Sequence, residues 1–158
     1  VTVEVDARDF RAAAVALGSF DGIVDDVIGP TELRAGEVLE AAIRSAGSRH
    51  RATGKMLRNI KARPVGSGVG TRVRVTTGGS VAHLIVGGTR GHFISPTRGR
   101  ALVLAGGELR SLAHHPGTRP DPFPARGIAD AADELDRIYT DAGAAIVDQL
   151  ADELKRRT

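Results

Sequence analysis

The chain has 158 residues, no cysteine, no tryptophan and a formal net charge of +3. Disulfides and thiolate chemistry are therefore excluded, and with one tyrosine and four phenylalanines the core must be aliphatic. No apolar run approaches the roughly 20 residues of a membrane span, and the first residues show neither the basic nor the apolar region of a signal peptide, so a soluble protein made in a cytoplasm is expected.

The length favours a single domain over residues 1–158, large enough to remove roughly 70% of the unfolded chain's surface from water. The modest net charge hides a segregated one. Val1–Glu40 sums to −6, Ala41–Gly107 to +12 and Glu108–Thr158 to −3. The middle segment has no Asp or Glu at all; its cations are Arg44, Arg49, Arg51, Lys55, Arg58, Lys61, Arg63, Arg72, Arg74, Arg90, Arg98 and Arg100. Such asymmetry bears on association rather than on fold.

In chain order, Val3 and Val5 read as an extended lead-in. Asp6 and Asp9 suit the positive end of a helix over about Ala7–Leu17, with Gly18 as its stop. Ser19–Pro30 is read as loop with a short helical turn. A second helix is expected from Thr31, with Leu33, Leu39, Ala42, Ile43 and Ala46 at helical spacing. Gly36 weakens it by about 1 kcal/mol relative to Ala. Thr53-Gly54 reads as a break, after which Met56, Leu57 and Ile60 turn inward.

From Lys61 the period changes to two. Val69, Thr71, Val73 and Val75 alternate with Gly70, Arg72, Arg74 and Thr76, which predicts a strand with one apolar and one basic face. The run Val81–Val86 fits either a helix or a strand. Residues 87–124 are rich in Gly and Pro, too long for a structureless loop in a compact domain. Within them Arg100–Ala105 and Glu108–Ala113 flank Gly106-Gly107, a two-residue hairpin signal. A projecting hairpin is expected, followed by a Pro-rich strap through His114–Phe123. The last element is a helix over about Ala125–Arg156. Ile128, Ala132, Leu135, Tyr139, Ala142, Ile146, Leu150 and Leu154 form its stripe, and its terminal charges match the helix dipole. The fold class expected is α+β: a small antiparallel sheet against a long central helix and a long C-terminal helix, with a projecting arm at residues 87–124.

No residue pattern identifies a catalytic centre. The histidines (His50, His83, His92, His114 and His115) lack metal-ligand spacing, and Gly66–Thr71 lacks the Gly-Lys-Ser/Thr ending of a phosphate loop. The expectation is therefore no enzyme, no cofactor and no metal. The basic block has three readings: a solvated surface, a nucleic-acid-binding face working by counterion release, or a docking face for an acidic surface on another copy or a neighbour. The near-absence of aromatics in the block weighs against the second reading.

The order of these motifs carries a resemblance. RATGKMLRNI (Arg51–Ile60) is followed by a short strand pair and by VAHLIVGGTRGHFISP (Val81–Pro96). RALVLAGG, HHPGTRPDPF (His114–Phe123) and a long C-terminal helix then follow. This resembles the gene-ten-like tail-component family of long-tailed bacteriophages, the head–tail connector or tail-completion proteins. The Thr-Gly-basic-Leu pattern falls on Thr53, Gly54, Lys55 and Leu57. The His-Pro-Gly-Thr-Arg-Pro-x-Pro-Phe stretch falls on His115–Phe123. The family's Glu-Phe after Ala-His is replaced, since Val86 and Gly87 stand before Gly88 and Thr89. The resemblance covers about Ala41 to the C-terminus. It implies a structural virion protein of the neck or tail top, assembled in the host cytoplasm as a ring, a hexamer, around the DNA channel. Its partners would be further copies, adjacent neck and tail-tube proteins, and DNA passing without sequence-specific contact. It implies no cofactor and no catalysis. The interface is expected on the hairpin and strap, at Arg90, His92, Arg98, Arg100, His115, Arg119 and Phe123. Arg119 would pair with an acidic neighbour and Phe123 would serve as the apolar anchor.

Overall fold

A computed structural model describes residues 14, 15, 17–50, 54–66, 72–77, 81–97, 99–104 and 106–156. The fold is α+β. A long N-terminal helix and a long C-terminal helix pack with small two-stranded antiparallel sheets. The expected lead-in strand and the start of the first expected helix lie outside the described residues, as do Thr53, Val69, Thr71 and Arg98.

Helix α1 runs over Phe20–Ala46 without interruption, with Pro30 inside it. The loop expected over Ser19–Pro30 is therefore helix, and Gly18 is itself helical rather than a stop. Ile23, Val24, Val27 and Ile28, all half-buried, continue the spacing of the later apolar positions. Packing against the C-terminal helix outweighs the breaking tendency of Gly22, Gly29 and Pro30. Pro30 has no N–H to donate into the helix ladder, and Thr31 turns its hydroxyl back onto the Val27 carbonyl at 2.6 Å.

Beyond α1 come a 3₁₀ turn at Ser48–His50 and the short α2 at Lys55–Arg58. Strands β1 (Ile60–Val65) and β2 (Arg72–Thr77) pair antiparallel, with Ala62 opposite Val75 and Arg63 opposite Arg74. Ala62, Val73 and Val75 lie on the less exposed face and Lys61, Arg63, Arg74 and Thr76 on the solvent face, the apolar and basic sides expected. The sheet lies so close on α1 that Gly36 is buried beneath it. A Cβ at Gly36 would collide with the Val73 side chain and come within 3.3 Å of Ala62 Cβ. The helix-weakening glycine is thus what lets sheet and helix touch.

Val81–Val86 resolves as a helix, α3 (Ala82–Gly87). The C-terminal helix is two: α4 (Phe123–Asp130) and α5 (Ala132–Lys155), separated at Ala131. Gly127 seats α4 on α1, since any Cβ there would stand 2.6 Å from the Ile43 Cα. The expected stripe of α5 is only half right. Ile138 and Ala142 are buried and Leu135, Ile146 and Leu150 half-buried, whereas Ile128, Ala132, Tyr139 and Leu154 are exposed. Acidic residues Asp133 and Glu134 in the first turn of α5 and Lys155 in the last match the helix dipole.

The core is Ile43, Met56, Ile60, Ala82 and Phe123, with Ala46, Leu57, Val75 and Ile85 against it. Phe123 and Ile60 are wholly buried. Truncating Phe123 to Ala should cost about 3–5 kcal/mol in urea-monitored unfolding, while Leu109→Ala in the arm should stay within about 0.5 kcal/mol of the parent.

Candidate assembly interface

Between α3 and α4 the chain leaves the body and returns. At the root, Thr89 and Thr118 exchange backbone hydrogen bonds of 2.9 and 3.0 Å. Gly117 turns there at φ +88°, and Gly88 at φ +69° faces it closely enough that a Cβ would meet the Thr118 carbonyl at 2.6 Å. Next, β3 (His92–Ile94) pairs antiparallel with β6 (Ala113–His115), a ladder the sequence did not announce. Further out, β4 (Leu102–Val103) pairs with β5 (Leu109–Arg110) around the expected Gly106-Gly107 turn. The hairpin is present, with shorter strands than expected. None of the four arm strands makes more than marginal contact with the helices or with β1 and β2.

The arm displays apolar side chains to solvent. Phe93 is 67% exposed, Val103 73% and Leu109 66%. Val103 and Leu109 are register partners, so they stand side by side on one face. Phe93 meets the His114 ring edge-on at 5.2 Å, and His92 stacks on His115 at 5.2 Å. The His92 Nδ1–H donates to the Arg90 carbonyl, and the His115 Nδ1 accepts from the Gly117 N–H, each at 3.0 Å.

The strap is pinned by one residue. Asp121 is 2% exposed. Its carboxylate accepts from Arg126, from His50 Nε2 at 2.6 Å and from Arg49 Nε at 2.8 Å. Arg126 also donates to the Ala46 carbonyl at the end of α1, at 3.0 Å, and the Asp121 N–H donates to the Ile85 carbonyl at 2.9 Å. The Arg126 hydrogen bond holds the Asp121 carboxyl well below the ordinary carboxylate range; burial opposes it, and His50 and Arg49 add to the lowering. A second carboxylate, Glu40, accepts from the Ala62 N–H at 2.6 Å, which lowers its pKa against the opposing effect of burial, with Arg44 and Lys61 assisting.

These contacts neutralise part of the basic block within the chain. Arg44 pairs with Glu40 at 2.7 Å, Lys61 approaches Glu40 at 3.7 Å, and Arg49 pairs with Asp121 at 2.6 Å. Arg63, Arg74, Arg90 and Arg100 meet no carboxylate among the described residues. Arg63, Lys61, Arg58 and Arg74 line one shallow hollow on the β1–β2 face.

Of the expected interface residues, Arg90, His92, Arg100 and Arg119 are exposed on the arm and strap, and His115 is half-buried under His92. Arg98 lies outside the described residues. Phe123 is no anchor for a neighbour: it opens α4 and sits wholly inside the chain's own core. The anchoring role of Asp121 went unread, because its partners Arg49 and His50 are distant in sequence. The exposed apolar pair Val103 and Leu109 was legible, since both flank the Gly-Gly turn. No protein-family model matches the chain, and neither curated proteins nor solved structures yield a match.

The folded-state pKa of Asp121 is below its ordinary value of 3.8. Its stabilising contribution is therefore full above about pH 4 and fades as the pH falls further. Asp121→Asn should lower the melting temperature at pH 7, and the gap to the parent should close as both are titrated below pH 4.

Proposed function

We propose that this chain is a structural subunit of a bacteriophage neck or tail top, a tail-completion or head–tail connector protein that assembles as a ring around the DNA channel. The observation that supports the reading is the arm. It stands off the body and exposes Phe93, Val103 and Leu109. An isolated hairpin is marginal in water, and exposed apolar clusters mark association surfaces. The motif likeness at Thr53–Leu57 and His115–Phe123 points the same way. On this reading the work is assembly: subunits dock, close a ring and leave a lumen for DNA, with no reaction catalysed.

Light scattering is expected to give a ring-sized mass for the full chain, alone or after mixing with tail-tube subunits. Replacing Ser95–Arg110 by Gly-Gly should abolish that assembly and leave the thermal melt unchanged, because none of the described residues in that stretch belongs to the core cluster. A deletion variant that still assembles, or that no longer folds, would sink the proposal.

One observation favours a second reading, a nucleic-acid-binding face. Arg63 and Arg74 are direct cross-strand partners, an arrangement of like charges that is destabilising unless an anion lies between them. If they contact phosphates, retention of a short DNA duplex should fall steeply with salt, by a log–log slope of about 0.9 per phosphate. The pair Arg63→Ala and Arg74→Ala should then flatten that slope. Absence of binding at low salt removes this reading.

A further inference from the structure

We infer that the arm of one copy docks on the outer face of α5 of the next, a head-to-tail contact between unlike surfaces of the same chain. The inference rests on the ring reading above and assigns the acceptor surface that reading leaves open.

Helix α5 has two apolar sides. One, through Ile138 and Ala142, is buried against α1. The other carries Tyr139, Gly143, Val147 and Leu154, all exposed. Steps of four, four and seven residues keep these positions within about 80° of one another around a helix of 3.6 residues per turn. Val147, at 63% exposure, is the most open of its large side chains. Asp136, also exposed, continues the line toward the N-terminus, whereas Asp141 and Asp148 lie about 100° or more round the helix from it. Tyr139 leans toward α1, its hydroxyl donating to Glu32 at 3.0 Å, which leaves the middle of the line to Gly143 and Val147.

The charges of the two surfaces are opposite. Helix α5 carries seven carboxylates and two cations, −5 in all; Thr89–Arg119 carries five arginines and one glutamate, +4 in all with histidine neutral. Each surface joins an apolar line to a net charge of one sign, so apolar contact and charge attraction act together. Two arms would meet with like charge, and so would two α5 faces; only arm on helix brings unlike charges together. Among the described residues, the arm strands do not pack on α5 of their own chain beyond marginal contact. A contact between different patches on identical subunits is heterologous, and it closes into a ring when the rotation per subunit divides a full turn. The hairpin face bearing Val103 and Leu109 is the part of the arm that enters, with Val147 and Gly143 beneath it.

The absence of cysteine allows a direct test. Val103→Cys and Val147→Cys are made in separate full-length chains of distinguishable size, mixed, and oxidised mildly. The mixed disulfide is expected to dominate over both homodimers. Adding Asp136→Lys and Gly143→Lys to the Val147→Cys chain should cut its yield at least tenfold; a Cβ at Gly143 meets nothing within 4 Å, so the fold admits the change. Homodimers of the Val103→Cys chain in excess would overturn the inference in favour of an arm–arm contact. Light scattering on the same samples separates the two failures. Oligomers without the mixed cross-link overturn this pairing alone; a chain that stays monomeric both alone and with tail-tube subunits, and gives no cross-link, overturns the ring reading with it.

Discussion

Asp121 keeps its charge in a place almost closed to water, and three cationic or hydrogen-bonding side chains make that tenable. Arg126 comes from α4, and Arg49 and His50 from the turn after α1. A buried carboxylate without such partners would carry a desolvation cost of several kcal/mol; with them, it fixes three segments relative to one another. Because Arg126 also holds the last turn of α1 through the Ala46 carbonyl, the strap arrives beside the core at one definite position. Phe123 follows two residues later and fills that core. The direction in which the arm leaves and re-enters the body is set here. Several of the cations that looked available for a partner are consumed in the same way, Arg49 by Asp121 and Arg44 by Glu40. What remains outward is a narrower basic surface than the charge count suggests.

Sequence and structure agree where the signal is local. The Gly106-Gly107 turn, the two-faced strand around Val73 and Val75, and the charge-capped C-terminal helix all follow from spacing over a few residues. They part where a distant contact decides. Pro30 and two nearby glycines argue against helix, yet α1 passes straight through them, half-burying Ile23, Val24, Val27 and Ile28 while the helix packs on α5. The strap signalled an extended segment, but nothing in HHPGTRPDPF says that Asp121 answers to Arg49 and His50, 72 and 71 residues earlier. Phe123 illustrates the same limit: a phenylalanine ending a Pro-rich run reads equally as an anchor for a neighbour or as core, and tertiary packing made it core.

The two glycines that weaken helices on paper are used for contact. Gly36 admits the sheet and Gly127 admits α1, so three elements approach more closely than side chains permit. A small chain poor in aromatics has few other ways to bring its layers into tight register. The outcome is a modest but connected core, with Phe93, Val103 and Leu109 on the arm and Val147 on α5 left exposed.

The root of the arm is a two-stranded neck, one backbone bridge between Thr89 and Thr118 framed by Gly88 and Gly117. Such a joint carries the arm on a narrow base. The six residues from Thr89 to Ile94 alone span about 20 Å when extended, so a tilt of roughly 10° at the neck displaces the far end of that span by about 3 Å. Under the ring assembly proposed above, a small tilt at this neck would let one arm meet neighbours set at slightly different angles while every globular body stays the same.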